Sequence, residues 1–165
     1  MKIGIVRERR PNENRVAATP DTIKKFVGLG LEVHVESGAG IGASITDAGF
    51  ANAGATVENG PEKVLGQADI VLKVQKPIGP GAPVKGEADE VAMMKDGATL
   101  ACLMEPYRDR ALFEALAARN ISCSRWNWFL GSAAPSPWTC CPRSRTSRDT
   151  RQLSRPARRS AGPFR

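Results

Sequence analysis

Ala68-Asp69-Ile70-Val71-Leu72-Lys73-Val74-Gln75-Lys76-Pro77 is the stretch whose reading decides the fold. Ile70–Val74 has the length and β-branched content of a buried strand, and Pro77 ends it because proline cannot donate to a sheet ladder. Before it, Pro61–Gln67 reads as a helix; after it, 77–86 is a Pro- and Gly-rich loop, followed by a helix over Glu90–Lys95. The same alternation runs outward in both directions. Lys2–Val6 is a short apolar strand. Thr19-Pro20-Asp21 opens a helix, with Thr19 as N-cap and Pro20 in the first helical position, and Gly28 and Gly30 stop it. Leu31–Glu36 alternates apolar and charged residues as a half-buried strand does, 38–42 is a loop, Thr46-Asp47 begins a helix ending near Gly54, and Ala55–Val57 is a short strand. Further on, Ala98–Leu103 is a buried strand, Arg110–Arg119 an amphipathic helix, and Ile121–Cys123 starts another strand. Strands alternating with helices predict an α/β fold: a doubly wound, mostly parallel sheet, Rossmann-like or flavodoxin-like, with helices on both faces.

Charge divides the chain in two. Of 24 Lys+Arg and 17 Asp+Glu, nine Arg and one acid (Asp149) lie from Arg125 onward, a local charge of +8. The residues before it hold 15 bases and 16 acids, a net of −1, so the overall +7 is no property of the folded part. All three Trp (Trp126, Trp128, Trp138) and the adjacent pair Cys140-Cys141 also fall in the second region. That pair has neither CxxC nor zinc-ligand spacing, whereas Cys102 and Cys123 sit in apolar runs as core thiols. Residues 1–124 are therefore expected to form one lobe, and 125–165 a disordered Arg-, Pro- and Ser-rich tail. The start shows no secretory signal, and no apolar stretch approaches the roughly 18–20 residues a membrane helix needs, so a cytoplasmic chain without a membrane span is expected.

Each candidate site has a blander reading beside it. Gly38-Ala39-Gly40-Ile41-Gly42 looks like a phosphate loop, but it has the spacing GxGxG rather than GxGxxG and follows the second strand. A permissive backbone turn is the better reading. His34, the only histidine, lies between Val33 and Val35 and is expected to face away from them, toward solvent, with no carboxylate partner for catalysis. Arg7-Glu8-Arg9-Arg10-Pro11-Asn12-Glu13-Asn14-Arg15-Val16 follows the first strand, at the carboxyl edge where ligands collect in parallel sheets. An Arg there can grip a carboxylate or phosphate bidentately. Gln75 and Lys76 leave another strand at the same edge, so Arg15 and Gln75 become the candidate cleft-lining, cofactor-binding residues.

Taken together, Met1–Ile5, Glu8–Ala17, Val35–Asp47, Ala53-Gly54-Ala55 and Ala68–Pro77 resemble the opening of the alpha subunit of proton-translocating NAD(P) transhydrogenases and of its relative, alanine dehydrogenase. The resemblance covers about residues 1–122. Alanine dehydrogenase has a substrate-binding Lys where this chain has Gln75 and a catalytic His where it has Met104, so the transhydrogenase branch fits better. Arg15 is common to both branches. The resemblance implies an NAD(H)-binding subunit that exchanges hydride with NADP(H) on another subunit, coupled to proton movement through membrane subunits. It also implies a homodimer and a location peripheral to the inner membrane. The dinucleotide fingerprint of that family belongs to a second lobe.

The tail can be tested against the genetic code. Trp has one codon. If the Arg125 codon ends in A, Trp126-Asn127-Trp128-Phe129 read one base earlier becomes Met-Glu-Leu-Val, and permitted codons extend this to MELVPRISRAQSMDVLSSQSNLAGY. That resembles the family's next segment, including its Arg, Gln, Asp and Ser loop near the nicotinamide. The tail is thus expected to be a frameshift product, and the isolated chain inactive. A nucleic-acid binder, suggested by nine Arg, loses its motive once the tail is out of frame.

Overall fold

In the computed structural model, described for residues 1–105 and 108–125, six parallel strands form one sheet. In chain order the elements are β1 (Lys2–Ile5), α1 (Pro20–Gly28), β2 (Glu32–Glu36), α2 (Asp47–Asn52), β3 (Thr56–Glu58), α3 (Pro61–Gln67), β4 (Ile70–Leu72), α4 (Glu90–Met93), β5 (Thr99–Cys102), α5 (Arg110–Ala118) and β6 (Ser122–Arg125). The strand order is β3-β2-β1-β4-β5-β6. This is the Rossmann order; the flavodoxin-like alternative, in which the third strand lies beside the first, is excluded. Every pairing is parallel, so the expected "mostly parallel" sheet is wholly parallel among the described residues.

The helices fall where their punctuation puts them. The Thr19 side chain accepts from the Thr22 amide with Pro20 just inside the helix, and Thr46 accepts from the Gly49 amide in the same way. Each such cap is worth about 1 kcal/mol. Gly30 takes φ +79 just past α1, a backbone a β-carbon would strain. On one face of the sheet Ile23 of α1 and Phe50 of α2 pack with Ile3, Ile5, Val33 and Val35. On the other, Val64, Leu65, Val91, Leu112 and Leu116 from α3, α4 and α5 pack with Val71 and Leu100. Gly4 lets α3 approach β1: a β-carbon there would lie 2.8 Å from that of Ala68.

The structure corrects several expectations. β2 is buried from Val33 to Glu36 rather than half-buried, because it is an interior strand with both faces covered. For that reason His34 does not face solvent; it is 9% exposed between β1 and β3. Its Nδ1 lies 3.8 Å from a Glu58 oxygen and its Nε2 4.0 Å from one of Glu32, too far for hydrogen bonds. The strands β1, β4 and β5 turn into loops one or two residues earlier than the apolar runs suggest, and α4 stops at Met93. Cys102 is a core thiol whose burial pushes its pKa up, while Cys123 is only partly buried. The expected tail, apart from β6 residue Arg125, and the Cys140-Cys141 pair lie outside the described residues.

Candidate functional site

The strand order reverses between β1, which leads outward to β2, and β4, which starts the other half. A crevice opens at the carboxyl ends of two such strands, where doubly wound folds take their ligands. The loop after β1 and the loop after β4 both end there and are stapled to each other. Glu8 accepts from the Val74 amide at 2.7 Å, and Arg10 donates to the carbonyls of Lys76, Pro77 and Ala82 at 2.9–3.1 Å. Lys76 in turn is held by both oxygens of the buried Asp109 at 2.7 Å.

Beneath these loops lies a charged cluster that sequence reasoning missed. Lys73, Glu8 and Glu90 have side chains only 1–2% exposed. Lys73 Nζ donates to Glu90 at 2.9 Å and stands 3.6 Å from Glu8. The other Glu90 oxygen accepts from the Ile78 amide at 2.8 Å. Arg9 bridges Glu36, Glu90 and Glu87, and Glu36 also accepts from the Arg7 amide. Burial pushes the Glu8 carboxyl above its ordinary pKa despite the pull of Lys73. The only sequence signal was Lys73 itself, a charge inside an apolar strand run.

The structure brings the two candidates Arg15 and Gln75 together through a third residue, Glu13; Arg15 lines one of the two clefts beside Glu13 and Gln75 lines neither. Arg15 donates from Nε to Glu13 Oε1 and from Nη2 to Glu13 Oε2, each at 2.7 Å, the bidentate fork of a guanidinium on a carboxylate. Gln75 Nε2 donates to Glu13 Oε2 at 2.8 Å. The Arg15 side chain is 64% exposed and that of Glu13 6%. Hydrogen bonding by Arg15 holds the Glu13 carboxyl down to about 2. Two open clefts adjoin Glu13. One of about 390 Å³ runs along Arg7, Arg9, Arg10 and Glu87; the other, about 240 Å³, runs along Arg7, Arg15, Gly38 and Gly42.

The glycine-rich segment beside the second cleft is spent on packing. The amides of Ala39, Ile41, Ala43 and Ile45 donate to nearby carbonyls, and that of Gly38 to Asp47 at 2.9 Å. A β-carbon at Gly40 would lie 2.6 Å from the Ile45 carbonyl oxygen, and one at Gly42 2.8 Å from that of Asn14. Gly38 takes φ +77. These glycines seat the loop after β1 against α2, a packing role that accounts for their positions.

A six-stranded 3-2-1-4-5-6 parallel sheet with polar side chains gathered at its switch point defines a Rossmann-like α/β lobe. Residues 4–127 match the family model described as "Alanine dehydrogenase/PNT, N-terminal domain", and the chain belongs to that family. It is 49% identical over 122 residues to an NAD(P) transhydrogenase alpha-subunit polypeptide of Rhodospirillum rubrum, a match covering 74% of this chain and 31% of the relative. An alanine dehydrogenase of Methanococcus maripaludis is 33% identical over 122 residues, covering 74% and 30%. Among solved structures, a transhydrogenase from Sinorhizobium meliloti superposes with TM-score 0.66 and 32% identity, covering 76% of this chain and 33% of that one. The chain therefore spans about a third of the length of the relatives it matches. No helix among the described residues is long and apolar enough to cross a membrane.

Proposed function

We propose that this chain is the first lobe of the NAD(H)-binding subunit of a proton-translocating transhydrogenase. The whole protein would transfer hydride between NAD(H) and NADP(H), beside NADP-binding and membrane subunits, as a homodimer on the cytoplasmic side of the membrane. The observation that carries this is the Arg15–Glu13–Gln75 cluster at the switch-point crevice. Gln75 puts a neutral amide where alanine dehydrogenase chemistry would want a second cation, and Met104 is a buried thioether with no proton to exchange. In this reading the cluster orients one uncharged end of the cofactor, and the pyrophosphate is held by a second lobe. The 165 residues alone are then inactive.

The tail fits the same reading. With permitted codons Ser124-Arg125-Trp126 is TCT-CGA-TGG, and one T restored in front reads Phe-Ser-Met, continuing into Glu-Leu-Val. A single lost base at the codon after Cys123 would account for the change of composition through residue 149. The test is to sequence genomic DNA across the codons for residues 118–150, express the corrected reading, and titrate it with NADH beside the 165-residue chain. The corrected protein is expected to bind NADH and, with its partner subunits, to reduce an NADP analogue; the short chain should do neither. Alanine oxidation by the corrected protein would overturn the transhydrogenase reading.

A further inference from the structure

The sealed cluster beneath the loops has one negative charge too many. Its members, none more than 13% exposed at the side chain, are the acids Glu8, Glu36 and Glu90 and the bases Arg9 and Lys73. Glu87 at the rim reaches the same Arg9 and only adds to the excess. A buried charge without a partner is so costly that the group takes or releases a proton instead. The hydrogen bonds identify the acid left over. Glu36 has a donor on each oxygen, the Arg7 amide and Arg9. So has Glu90, with Lys73 and Arg9 on one oxygen and the Ile78 amide on the other. Glu8 takes the Val74 amide on Oε1, but its Oε2 is buried with no donor, and Lys73 Nζ, which donates to Glu90, stands 3.6 Å away.

Nothing else around Glu8 makes up the difference. Lys73 faces it from β4, Glu90 from α4, Cys102 from β5 and Arg15 from its own loop, with Glu36 of β2 behind Arg9. Burial keeps Cys102 a neutral thiol, and Arg15 is closed on Glu13. The counter-charge that reaches an oxygen shut off from solvent is a proton.

We propose that the cluster binds one proton, on Glu8 Oε2, and that this proton is the catch of a pH-sensitive clasp. With it in place, Glu8 on the Val74 amide ties the loop after β1 to the loop after β4, and Lys73 and Glu90 carry the tie on to α4. When it leaves, the excess charge is sealed between the loops and the clasp loosens. In the opened clasp Glu8 meets water and titrates near 4.5, the ordinary Glu value. Linkage then fixes the sign. Opening becomes easier by about tenfold per pH unit as pH rises from that value to the point where the closed clasp gives up its proton, and levels off beyond it.

The test is a pH titration of the 165-residue chain, with the Glu8 carboxyl carbon followed by NMR and the Val74 and Ile78 amides by hydrogen exchange corrected for the intrinsic rate. The Glu8 carboxyl is expected to titrate above 4.5, and the protection of both amides to fall with rising pH up to that same point. Glu8→Gln mimics the protonated acid. It should keep both amides protected across the range and have a urea midpoint above pH 4.5 no lower than that of the unsubstituted chain. Glu90→Gln brings the cluster's charges into balance and should weaken proton binding by Glu8 roughly tenfold or more, one pH unit in its titration. The proposal is overturned by a Glu8 carboxyl that titrates at or below 4.5, by amide protection that does not change with pH, or by a Glu8 titration unmoved in Glu90→Gln. A destabilised Glu8→Gln, the mark of a broken ion pair, overturns it too. If Glu90→Gln does not fold, the titration of the unsubstituted chain and the midpoint of Glu8→Gln still decide.

Discussion

The carboxyl edge of the sheet carries two charge clusters built from the same side-chain types, and water separates their roles. Glu8, Lys73 and Glu90 are sealed at 1–2% exposure, whereas Arg15 on Glu13 reaches solvent at 64%. In the sealed cluster each charge has lost its hydration, so its partners are obligatory and breaking one leaves a buried ion uncompensated. In the open cluster water screens the pair, which adds little to stability and remains free to meet a ligand. The first cluster fastens two loops over the crevice; the second presents the surface those loops create.

The contrast is broken most severely at Lys73. Lys73→Met removes the cation between Glu8 and Glu90 and is expected to cost about 3–5 kcal/mol, a large share of the roughly 5–15 kcal/mol a domain has. Urea unfolding monitored by circular dichroism measures it. Adding Glu8→Gln and Glu90→Gln to Lys73→Met should recover much of the loss, since a neutral set leaves no charge stranded. A Lys73→Met chain as stable as the parent would show that the cluster is not sealed. A smaller effect is expected at the turn between the clusters. The Gly40→Ala β-carbon meets the Ile45 carbonyl at 2.6 Å and the Phe50 ring at 2.8 Å. Such overpacking costs about 1–3 kcal/mol, read as a fall in urea midpoint. An unaffected midpoint would reopen the turn as a flexible binding loop.

The open cluster was half legible in the sequence. Arg15 and Gln75 follow two strands of one parallel sheet, and the rule that such strands share a carboxyl edge brings them to one crevice before any coordinates. Glu13 was hidden because nothing in the spacing of Glu13, Asn14 and Arg15 shows that the loop doubles back to put a carboxylate between them. The sealed cluster was almost illegible. Glu8, Lys73 and Glu90 are 65 and 17 residues apart in turn, and only strand order makes them neighbours. His34 is misplaced by sequence reasoning for a related reason: alternation of Val33, His34 and Val35 gives the two faces of a strand but not whether a helix covers each one. Helix starts read well because caps are local chemistry, and Thr19, Thr46, Pro20 and Pro61 act within one turn.

On the open side, Arg15→Ala is expected to cost only roughly a quarter of the loss at Lys73, as for an ion pair screened by water, while weakening NADH binding by the corrected full-length protein. A thermal melt and an NADH titration of the corrected protein together separate the two effects. A large drop in melting temperature would place Arg15 among the structural residues and erase the distinction between the clusters.

The least disruptive test uses protons. Glu13 is held down to about 2 by Arg15, below the 4.5 of a free Glu carboxyl. Its contribution is fully present above pH 4.5 and is lost as pH falls through that window, because the unfolded chain then binds the proton first. Glu8 is shifted the other way by burial. Just above pH 4.5 the folded chain takes up the proton before the unfolded one, so Glu8 makes stability rise as pH falls there. The two clusters should therefore write opposite slopes on one curve of urea midpoint against pH. Glu13→Gln should flatten the acid limb alone, and Glu8→Gln the limb above 4.5 alone. If both substitutions flattened the same limb, the two carboxylates would share one environment, and solvent could not be what assigns one cluster to the fold and the other to the ligand.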